Sequence, residues 1–225
     1  MLTHPPWAAV PGLRHGFLDR RTGVRPAGWE VGPDDGAGPT PVATARQVHG
    51  VRVVTAAAAR ERPEADGLVT ATSGQLVGVV TADCVPILLL DSSRRVAGAV
   101  HAGWRGAAAG VLEAALEHFR IEFGSSPGDL EAAIGPAIGG CCYQVGPEVR
   151  EAFEVHAPGA TAPAWEDRDG RCYVDLRTAA RLLLLAAGVP TVAVVGPCTS
   201  CGAGYHSYRR DGATTGRQLS FIGWR

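Results

Sequence analysis

QLVGVVTADCVPILLLDSSRRVAGAVHAGWRG, residues 75–106, is the stretch from which the fold can be predicted most directly. It contains three short apolar runs, at 76–80, 86–90 and 96–100, and each ends at turn-forming or polar residues. Runs of this length, rich in Val, Ile and Leu, are typical of buried strands. We therefore predict three consecutive strands, the last two of them paired as a hairpin.

The predicted hairpin would bring two reactive side chains together. A three-residue loop between Asp91 and Arg95 would close it. Counted back along the ladder from that loop, Val85 faces His101, so Cys84 and His101 are expected side by side at the open end. A thiol and an imidazole in that position indicate a functional site rather than a core.

The remaining patterns predict a single domain, 1–225, with an α/β (α+β) fold in which helices pack on a mixed β-sheet. Of its 225 residues, 46% are hydrophobic and 19% are charged, which is enough for a buried core. Asp175 is the expected N-cap of one helix. Helices are predicted at 107–123, 147–153 and 176–187, further strands at 15–18, 51–55, 68–70, 130–134, 191–195 and 219–224, a turn at 32–36, and loops at 25–41, 156–170 and 201–215.

Composition excludes several classes of partner. The net charge is −1 and there is no basic block, which argues against a nucleic-acid surface. No apolar run approaches the length of a membrane span, and the N-terminus does not resemble a signal peptide. We expect the six cysteines to be reduced and the protein to be cytoplasmic. The oligomeric state is left open.

His49, Cys84 and His101 are the strongest candidates for chemistry. Each ends or flanks a predicted strand beside glycine or a turn, where a side chain is held but reachable. Two imidazoles and one thiolate suit zinc, and three protein ligands leave a fourth position for water or substrate, as in catalytic zinc sites. The alternative is that His49 is a surface residue and the other two are a packed pair.

Cys84 and His101 also fit a nucleophile and its base. That chemistry requires a thiolate kept reactive by a nearby imidazole. His49 discriminates between the two hypotheses, because a dyad does not need it and a three-ligand zinc site does.

Arginines could bind an anionic substrate. Arg105 precedes a predicted helix, and a guanidinium there suits phosphate. Arg20 and Arg209 would serve the same purpose if they converge with it. The alternative for each of these residues is a surface or capping role.

The other cysteines have no assigned function in the sequence. Cys198 and Cys201 have the CxxC spacing, but a structural zinc site normally has a second pair, and the adjacent Cys141 and Cys142 have the wrong spacing for one. We expect packed or idle thiols here.

An ordered set of motifs covering residue 14 to the end resembles one known family. These are the laccase-domain or multicopper polyphenol oxidase proteins, also known as the peptidoglycan editing factor family and as purine nucleoside phosphorylases. The motifs are QVHG at 47–50, ADG at 65–67, TADC at 81–84, VHAGWRG at 100–106, GPAIGGCCYQVG at 135–146 and SYRRDGATTGRQ at 207–218.

The resemblance implies an α/β domain similar to toxin deamidases with a Cys-His site. It also implies zinc held by His49, Cys84 and His101. The implied reaction is phosphorolysis of adenosine, inosine and methylthioadenosine to the free base and (methylthio)ribose 1-phosphate, with adenosine deamination as a further activity. The partners would then be a nucleoside and phosphate, bound with help from Arg105 and Arg20.

Two other functions remain as hypotheses. A copper polyphenol oxidase is suggested by the family's older name, but seven histidines without an HxH pair are too few for a full multicopper centre. A peptidoglycan-editing hydrolase would instead use Cys84 as its nucleophile.

Overall fold

The predicted hairpin forms the centre of the structure, a computed structural model that describes residues 1–21, 29–32, 39–56 and 62–225. Strand β7 (Val85–Asp91) pairs antiparallel with β8 (Val96–Ala102). Asp91 pairs with Val96, so four residues form the loop and the predicted register is wrong by one residue. His101 consequently faces Pro86.

The wider loop has a local cause. The buried carboxylate of Asp91 accepts hydrogen bonds from the backbone N–H groups of Ser93 and Arg94, both at 3.0 Å. Arg95 then takes a left-handed conformation, with φ of +55°, before the chain enters β8. An Asx turn of this kind needs the extra residue that a three-residue loop lacks.

The described residues form three sheets. The first has the strand order β13-β9-β7-β8-β5-β4, the second β1-β14-β6-β3-β2, and the third β10-β12-β11. The first two are mixed sheets, because β13 runs parallel to β9, β4 to β5, and β3 to β6. The other strands are β1 (Leu13–Phe17), β2 (Glu30–Val31), β3 (Thr40–Ala43), β4 (Val53–Thr55), β5 (Gly67–Thr70), β6 (Leu76–Thr81), β9 (Glu131–Ile134), β10 (Gln144–Val145), β11 (Trp165–Arg168), β12 (Arg171–Val174), β13 (Thr191–Val194) and β14 (Gln218–Trp224).

The central hairpin is apolar throughout because both of its faces are covered. Ile87 and Leu89 lie in the core that contains Leu112 and Phe119 of the helical layer. Leu88 and Leu90 point the other way, into the core shared with the second sheet. This two-sided burial explains a continuous apolar run in place of alternation. The fold is mixed α/β, as predicted.

One predicted helix is two. In place of the helix predicted at 107–123 there are α1 (Trp104–Ala108), which begins three residues before the predicted start, and α2 (Val111–Phe123). Gly110 separates them with φ of +94°, a conformation that ends a helix and favours glycine. The break turns α2 back against the sheet and leaves α1 beside the open end of the hairpin.

Two other α-helices, α3 (Pro147–His156) and α4 (Leu176–Ala186), begin and end close to the predicted positions. The short α5 (Tyr208–Asp211) lies within 201–215, which was predicted as a loop. Asp175 is the N-cap of α4, as predicted, because its side chain accepts from the N–H groups of Arg177 and Thr178. No helix in the described ranges is long and apolar enough to cross a membrane.

Two regions predicted as loops contain strands. β11 and β12 form a hairpin in and after the predicted loop at 156–170, turning at Asp169 and Gly170, whose φ angles are +49° and +71°. Asp-Gly is the usual signal for such a two-residue turn. β2 and β3 fall in and beside the predicted loop at 25–41, and most of the predicted turn at 32–36 lies outside the described residues.

Candidate metal centre

His49 lies in the connection between β3 and β4, in a left-handed conformation with φ of +61°. A residue with a β-carbon rarely adopts it without support. The fully buried carboxylate of Asp66 provides that support, since it accepts from the backbone N–H groups of His49 at 3.0 Å and Gly50 at 2.7 Å. Charge-assisted bonds of this kind are strong, and they hold the His49 loop against the start of β5.

The same carboxylate orients His101 at the end of β8. Nδ1 of His101 donates to Oδ1 of Asp66 at 2.8 Å, and the backbone N–H of His101 donates to the carbonyl oxygen of Asp66 at 2.7 Å. Because Nδ1 is committed to Asp66, Nε2 is the ring nitrogen that can bind a metal, which takes the place of the proton on Nε2. No role in the site is predicted for Asp66 from the sequence, although the residue belongs to the ADG motif at 65–67.

Cys84 connects β6 to β7 and completes the group. Its Sγ lies 3.8 Å from Nε2 of His49, and the rings of His49 and His101 are 4.9 Å apart, nearly perpendicular. One ligand atom from each of the three residues lies within 4.8 Å of the others. The prediction that Cys84 and His101 emerge together at the open end of the hairpin is confirmed.

Gly103 closes the group from the side of α1. A β-carbon at this position would lie 2.7 Å from Cδ2 of His49 and 3.2 Å from Sγ of Cys84. The backbone φ of −71° is open to any residue, so the requirement for glycine comes from space alone. Gly103, Cys84 and His49 therefore share one small volume.

Charge in the group favours a thiolate. Burial raises the pKa of Cys84, but hydrogen bonds with His101 and His49 lower it more, and the net pKa is below the ordinary value. Burial lowers the pKa of His101, whereas hydrogen bonds with Asp66 and Cys84 raise it above the ordinary value. The favoured form of Cys84 is thus the thiolate, which is the form that binds metals.

The three residues fit a zinc ion. One thiolate and two imidazoles are good ligands, and three protein ligands leave a fourth position open. Asp66 stands behind His101 as the carboxylate that commonly orients a zinc-binding histidine. The geometry therefore agrees with the ligand set predicted from the sequence, whereas the identity of the metal is not fixed by it.

A cavity of about 690 Å³ opens over this group. That volume is in the range of small-molecule sites. Arg105 lies at its wall, with its guanidinium stacked 4.4 Å over the ring of Trp104. The cavity is lined by Gln47, His49, Val80, Thr81, Ala82, Asp83, Cys84, His101, Gly103, Trp104, Arg105, Ile138, Tyr143, Leu176, Tyr208, Arg209 and Arg217.

The other predicted arginines are placed differently. Arg209 lines the cavity, and its guanidinium lies over the ring of Tyr143 at 5.0 Å. Arg20 forms an ion pair with Asp211 at 3.8 Å and is not among the described residues that line the cavity. The role of Arg20 in substrate binding remains a prediction. Tyr143, Tyr208 and Arg217 line the cavity without having been predicted from the sequence.

A buried carboxylate fastens the far wall. Asp83 has φ of +88° and accepts hydrogen bonds from Oγ1 of Thr199 at 2.6 Å, Oγ of Ser207 at 3.1 Å and the backbone N–H of Arg209 at 2.7 Å. These bonds tie the loops after β13 to the turn that carries Cys84. Asp83, adjacent to Cys84 in the chain, thus positions the far wall of the cavity.

The fold and the site define a class of protein: a mixed α/β fold with a His-Cys-His group at the floor of a small-molecule cavity. Within that class, the chain belongs to the multi-copper polyphenol oxidoreductase laccase family, which it matches over residues 16–225.

Relatives in this family carry names from nucleoside metabolism. The chain is 43% identical over 167 residues to purine nucleoside phosphorylase YlmD of Geobacillus stearothermophilus, which covers 72% of this chain and 61% of that protein. It is 38% identical over 161 residues to adenosine deaminase RL5 of an unknown prokaryotic organism, covering 70% and 61%. The matched segment thus spans less than two thirds of these curated relatives. The crystal structure of YlmD from Geobacillus stearothermophilus superposes with a TM-score of 0.82 and 33% identity, covering 99% of this chain and 94% of that one.

Proposed function

We propose that this protein is a zinc-dependent purine nucleoside enzyme. It catalyses phosphorolysis of adenosine, inosine and methylthioadenosine to the free base and (methylthio)ribose 1-phosphate, with adenosine deamination as a further activity. The observation that carries the proposal is the convergence of His49, Cys84 and His101 at a cavity that also contains arginine side chains. The names of the relatives, purine nucleoside phosphorylase and adenosine deaminase, supply the substrate class.

His49, Cys84 and His101 would hold the zinc ion, which when bound supplies a Lewis acid at the cavity floor. Asp66 fixes the ring of His101 and keeps its Nδ1 protonated. The reaction joins an oxygen of hydrogen phosphate to the ribose carbon as the bond from that carbon to the base breaks. The base leaves with the electron pair of that bond and takes up the proton that hydrogen phosphate gives up overall. Cavity walls exclude bulk water and keep the two reactants in contact.

Arginine side chains would bind the phosphate. The guanidinium carbon of Arg105 lies over the ring of Trp104, 4.4 Å from its centroid, and this contact supports the side chain at the cavity wall. Arg209 is fixed by a bond from Nη1 to the carbonyl oxygen of Gln144 at 3.0 Å and by its contact with Tyr143. Planar guanidinium groups recognise phosphate oxygens through paired hydrogen bonds, and they stabilise charge that develops in the transition state.

The test is phosphate-dependent release of adenine from adenosine by the purified protein. We expect the wild type to release adenine when phosphate is present. Without phosphate it should release no adenine, and the only product from adenosine should be inosine, formed by deamination. His101→Ala should release no adenine under either condition. His118→Ala is the matched control, because His118 contacts Thr55 outside the cavity and should leave activity unchanged. Full activity in His101→Ala would contradict the role assigned to His101. Metal analysis of the same samples distinguishes zinc from copper.

A second candidate function has one specific observation in its favour. Cys84, His101 and Asp66 form a thiolate, imidazole and carboxylate series of the kind used by cysteine nucleophiles. A peptidoglycan-editing hydrolase would use the Cys84 thiolate to attack an amide carbonyl of a muropeptide. A thioester to Cys84 forms as the C–N bond breaks, and the amine leaves with a proton from His101. A covalent adduct on Cys84, found by mass spectrometry after incubation of metal-stripped protein with muropeptides, would favour this function over the first.

A further inference from the structure

A second cluster of sulfur atoms lies away from His49, Cys84 and His101. Cys141 and Cys142 belong to the loop that follows β9, and Cys198 and Cys201 to the loop that follows β13. Because β9 and β13 are parallel neighbours, both loops leave the same edge of the sheet. The four sulfur atoms all lie within 4.8 Å of one another.

We propose that these four thiolates bind a second metal ion, a tetrahedral zinc, that is independent of the His-Cys-His group. Zinc–sulfur bonds of about 2.3 Å place the sulfur atoms of such a site about 3.8 Å apart. Sγ of Cys201 lies 3.3 Å from that of Cys141 and 3.5 Å from that of Cys142. Small outward movements of the exposed Cys201 and Cys141 side chains would open the group to the full size of a zinc site.

Local geometry points all four sulfur atoms inward. The backbone N–H groups of Cys142 and Tyr143 both donate to the carbonyl oxygen of Gly139, at 2.9 and 3.0 Å. This tight turn brings the side chains of adjacent cysteines to one side, which an extended strand would send to opposite faces. Adjacency in sequence is therefore no obstacle to joint ligation, contrary to the expectation of idle thiols.

Backbone donors stabilise the buried member of the cluster. The N–H of Gly139 donates to Sγ of Cys198 at 3.2 Å, and the N–H groups of Ser200 and Cys201 also donate to that sulfur. A β-carbon on Gly139 would lie 3.3 Å from Cβ of Cys198 and 3.4 Å from Sγ of Cys141. Outer donors of this kind orient metal-bound ligands and offset their charge.

A single ion explains the arrangement better than other sulfur chemistry. Disulfides would join the cysteines in separate pairs, whereas Sγ of Cys201 lies about equally close to Cys141 and Cys142, and all four thiols are free. An iron–sulfur cluster has sulfide bridges between its thiolates and would hold them further apart than they lie. Four sulfur ligands in one compact group are typical of structural zinc.

The ion would fasten the wall of the active-site cavity. The loop after β9 continues from Cys142 to Tyr143, which lines the cavity. The loop after β13 carries Thr199, which donates to Asp83 and whose N–H donates to the carbonyl oxygen of Ala137. A crosslink between the two loops would thus hold Tyr143 and the Thr199–Asp83 bond in place at the cavity.

Metal stoichiometry tests the proposal. We expect two zinc ions per chain in the wild type, one in His49→Ala/His101→Ala and one in Cys201→Ser. Cys172→Ser is the matched control, since this thiol lies outside the four-cysteine cluster, and it should keep two. One zinc ion in the wild type, lost in the double histidine variant and unaffected by Cys201→Ser, would overturn the proposal.

Cobalt spectroscopy gives a second readout that does not depend on the folding of one variant. Cobalt-substituted His49→Ala/His101→Ala should show the strong sulfur-to-metal charge-transfer absorption of a tetrathiolate site. Cys141→Ser/Cys201→Ser, with an unchanged circular dichroism spectrum, should lose that component. Absence of the band in the double histidine variant, or a disulfide among the four cysteines in protein purified without oxygen, would contradict the proposal.

Discussion

Asp66 joins the two histidines of the site through a single carboxylate. One oxygen accepts from Nδ1 of His101 and from the backbone N–H of His49, and the other accepts from Gly50. Burial raises the pKa of Asp66, but the hydrogen bonds from His101 and Gly50 lower it more. The carboxylate is therefore ionised whenever the site is folded near neutral pH.

We expect Asp66→Asn to weaken zinc binding and kcat/KM by about 10- to 100-fold, because the amide no longer fixes the tautomer of His101. Zinc competition with a chelating dye and the adenosine assay would measure both. Glu64→Gln is the control, since Glu64 is exposed and pairs with Arg46 at the surface. Equal zinc affinity in Asp66→Asn and wild type would show that Asp66 does not orient a ligand.

Gly103 allows a sharper test at the same scale. Gly103→Ala leaves the backbone conformation unstrained but places a methyl group 2.7 Å from His49. The imidazole must move, so we expect zinc affinity to fall at least about tenfold with little loss of stability. Gly128→Ala is the control, because a β-carbon there meets nothing within 4 Å. Zinc binding and thermal unfolding of the two variants, measured side by side, decide the outcome.

At the scale of elements, the β7–β8 hairpin depends on one buried carboxylate. Burial raises the pKa of Asp91, but hydrogen bonds from Ser93, Ser125 and Arg94 lower it from 3.8 to about 2. A carboxyl group whose pKa is lower in the folded than in the unfolded protein stabilises the fold at pH values above its unfolded-state pKa. This stabilisation is lost as the pH falls through the folded-state pKa. The window for this loss is therefore from about pH 4 to about pH 2.

Urea unfolding at pH 5 and pH 2.5 would measure this contribution. We expect the wild type to lose on the order of 1–2 kcal/mol more unfolding free energy than Asp91→Asn over that interval. Asp167→Asn, at an exposed carboxylate, should behave like the wild type. An identical pH dependence in Asp91→Asn and wild type would mean that Asp91 does not stabilise the hairpin loop.

Helices and strands could be predicted where the hydrophobic pattern of a segment agrees with the conformation that its residues prefer. The apolar runs of β6, β7 and β8 and the N-cap of α4 follow from short-range physics. The break at Gly110 and the Asp169-Gly170 turn had signals in the sequence, but an apolar helical face and a polar composition outweighed them. In both regions the structure depends on residues with positive φ, Gly110 between α1 and α2 and Asp169 and Gly170 in the β11–β12 turn.

At the scale of the molecule, the cavity is assembled from loops that are far apart in sequence. Gln47 shows how: its side-chain amide bonds both the N–H and the carbonyl oxygen of Val80, at 2.8 Å each, and so joins two distant segments. Tyr143, Tyr208 and Arg217 reach the cavity through the pairing of β9 with β7, of β13 with β9 and of β14 with β6. These contacts join segments that are far apart in sequence, so no short stretch of sequence predicts them.

The sequence by itself determined the strands of the central hairpin and selected His49, Cys84 and His101, because apolar runs and strand ends are local features. Only the tertiary structure decided the hairpin register, the bond from His101 to Asp66 and the meeting of Cys141 and Cys142 with Cys198 and Cys201. The physical reason is that these depend on side-chain bonds in loops and on strand pairing across the sheet. The parallel pairing of β9 with β13 joins segments about 60 residues apart, and no pattern in either segment specifies its partner.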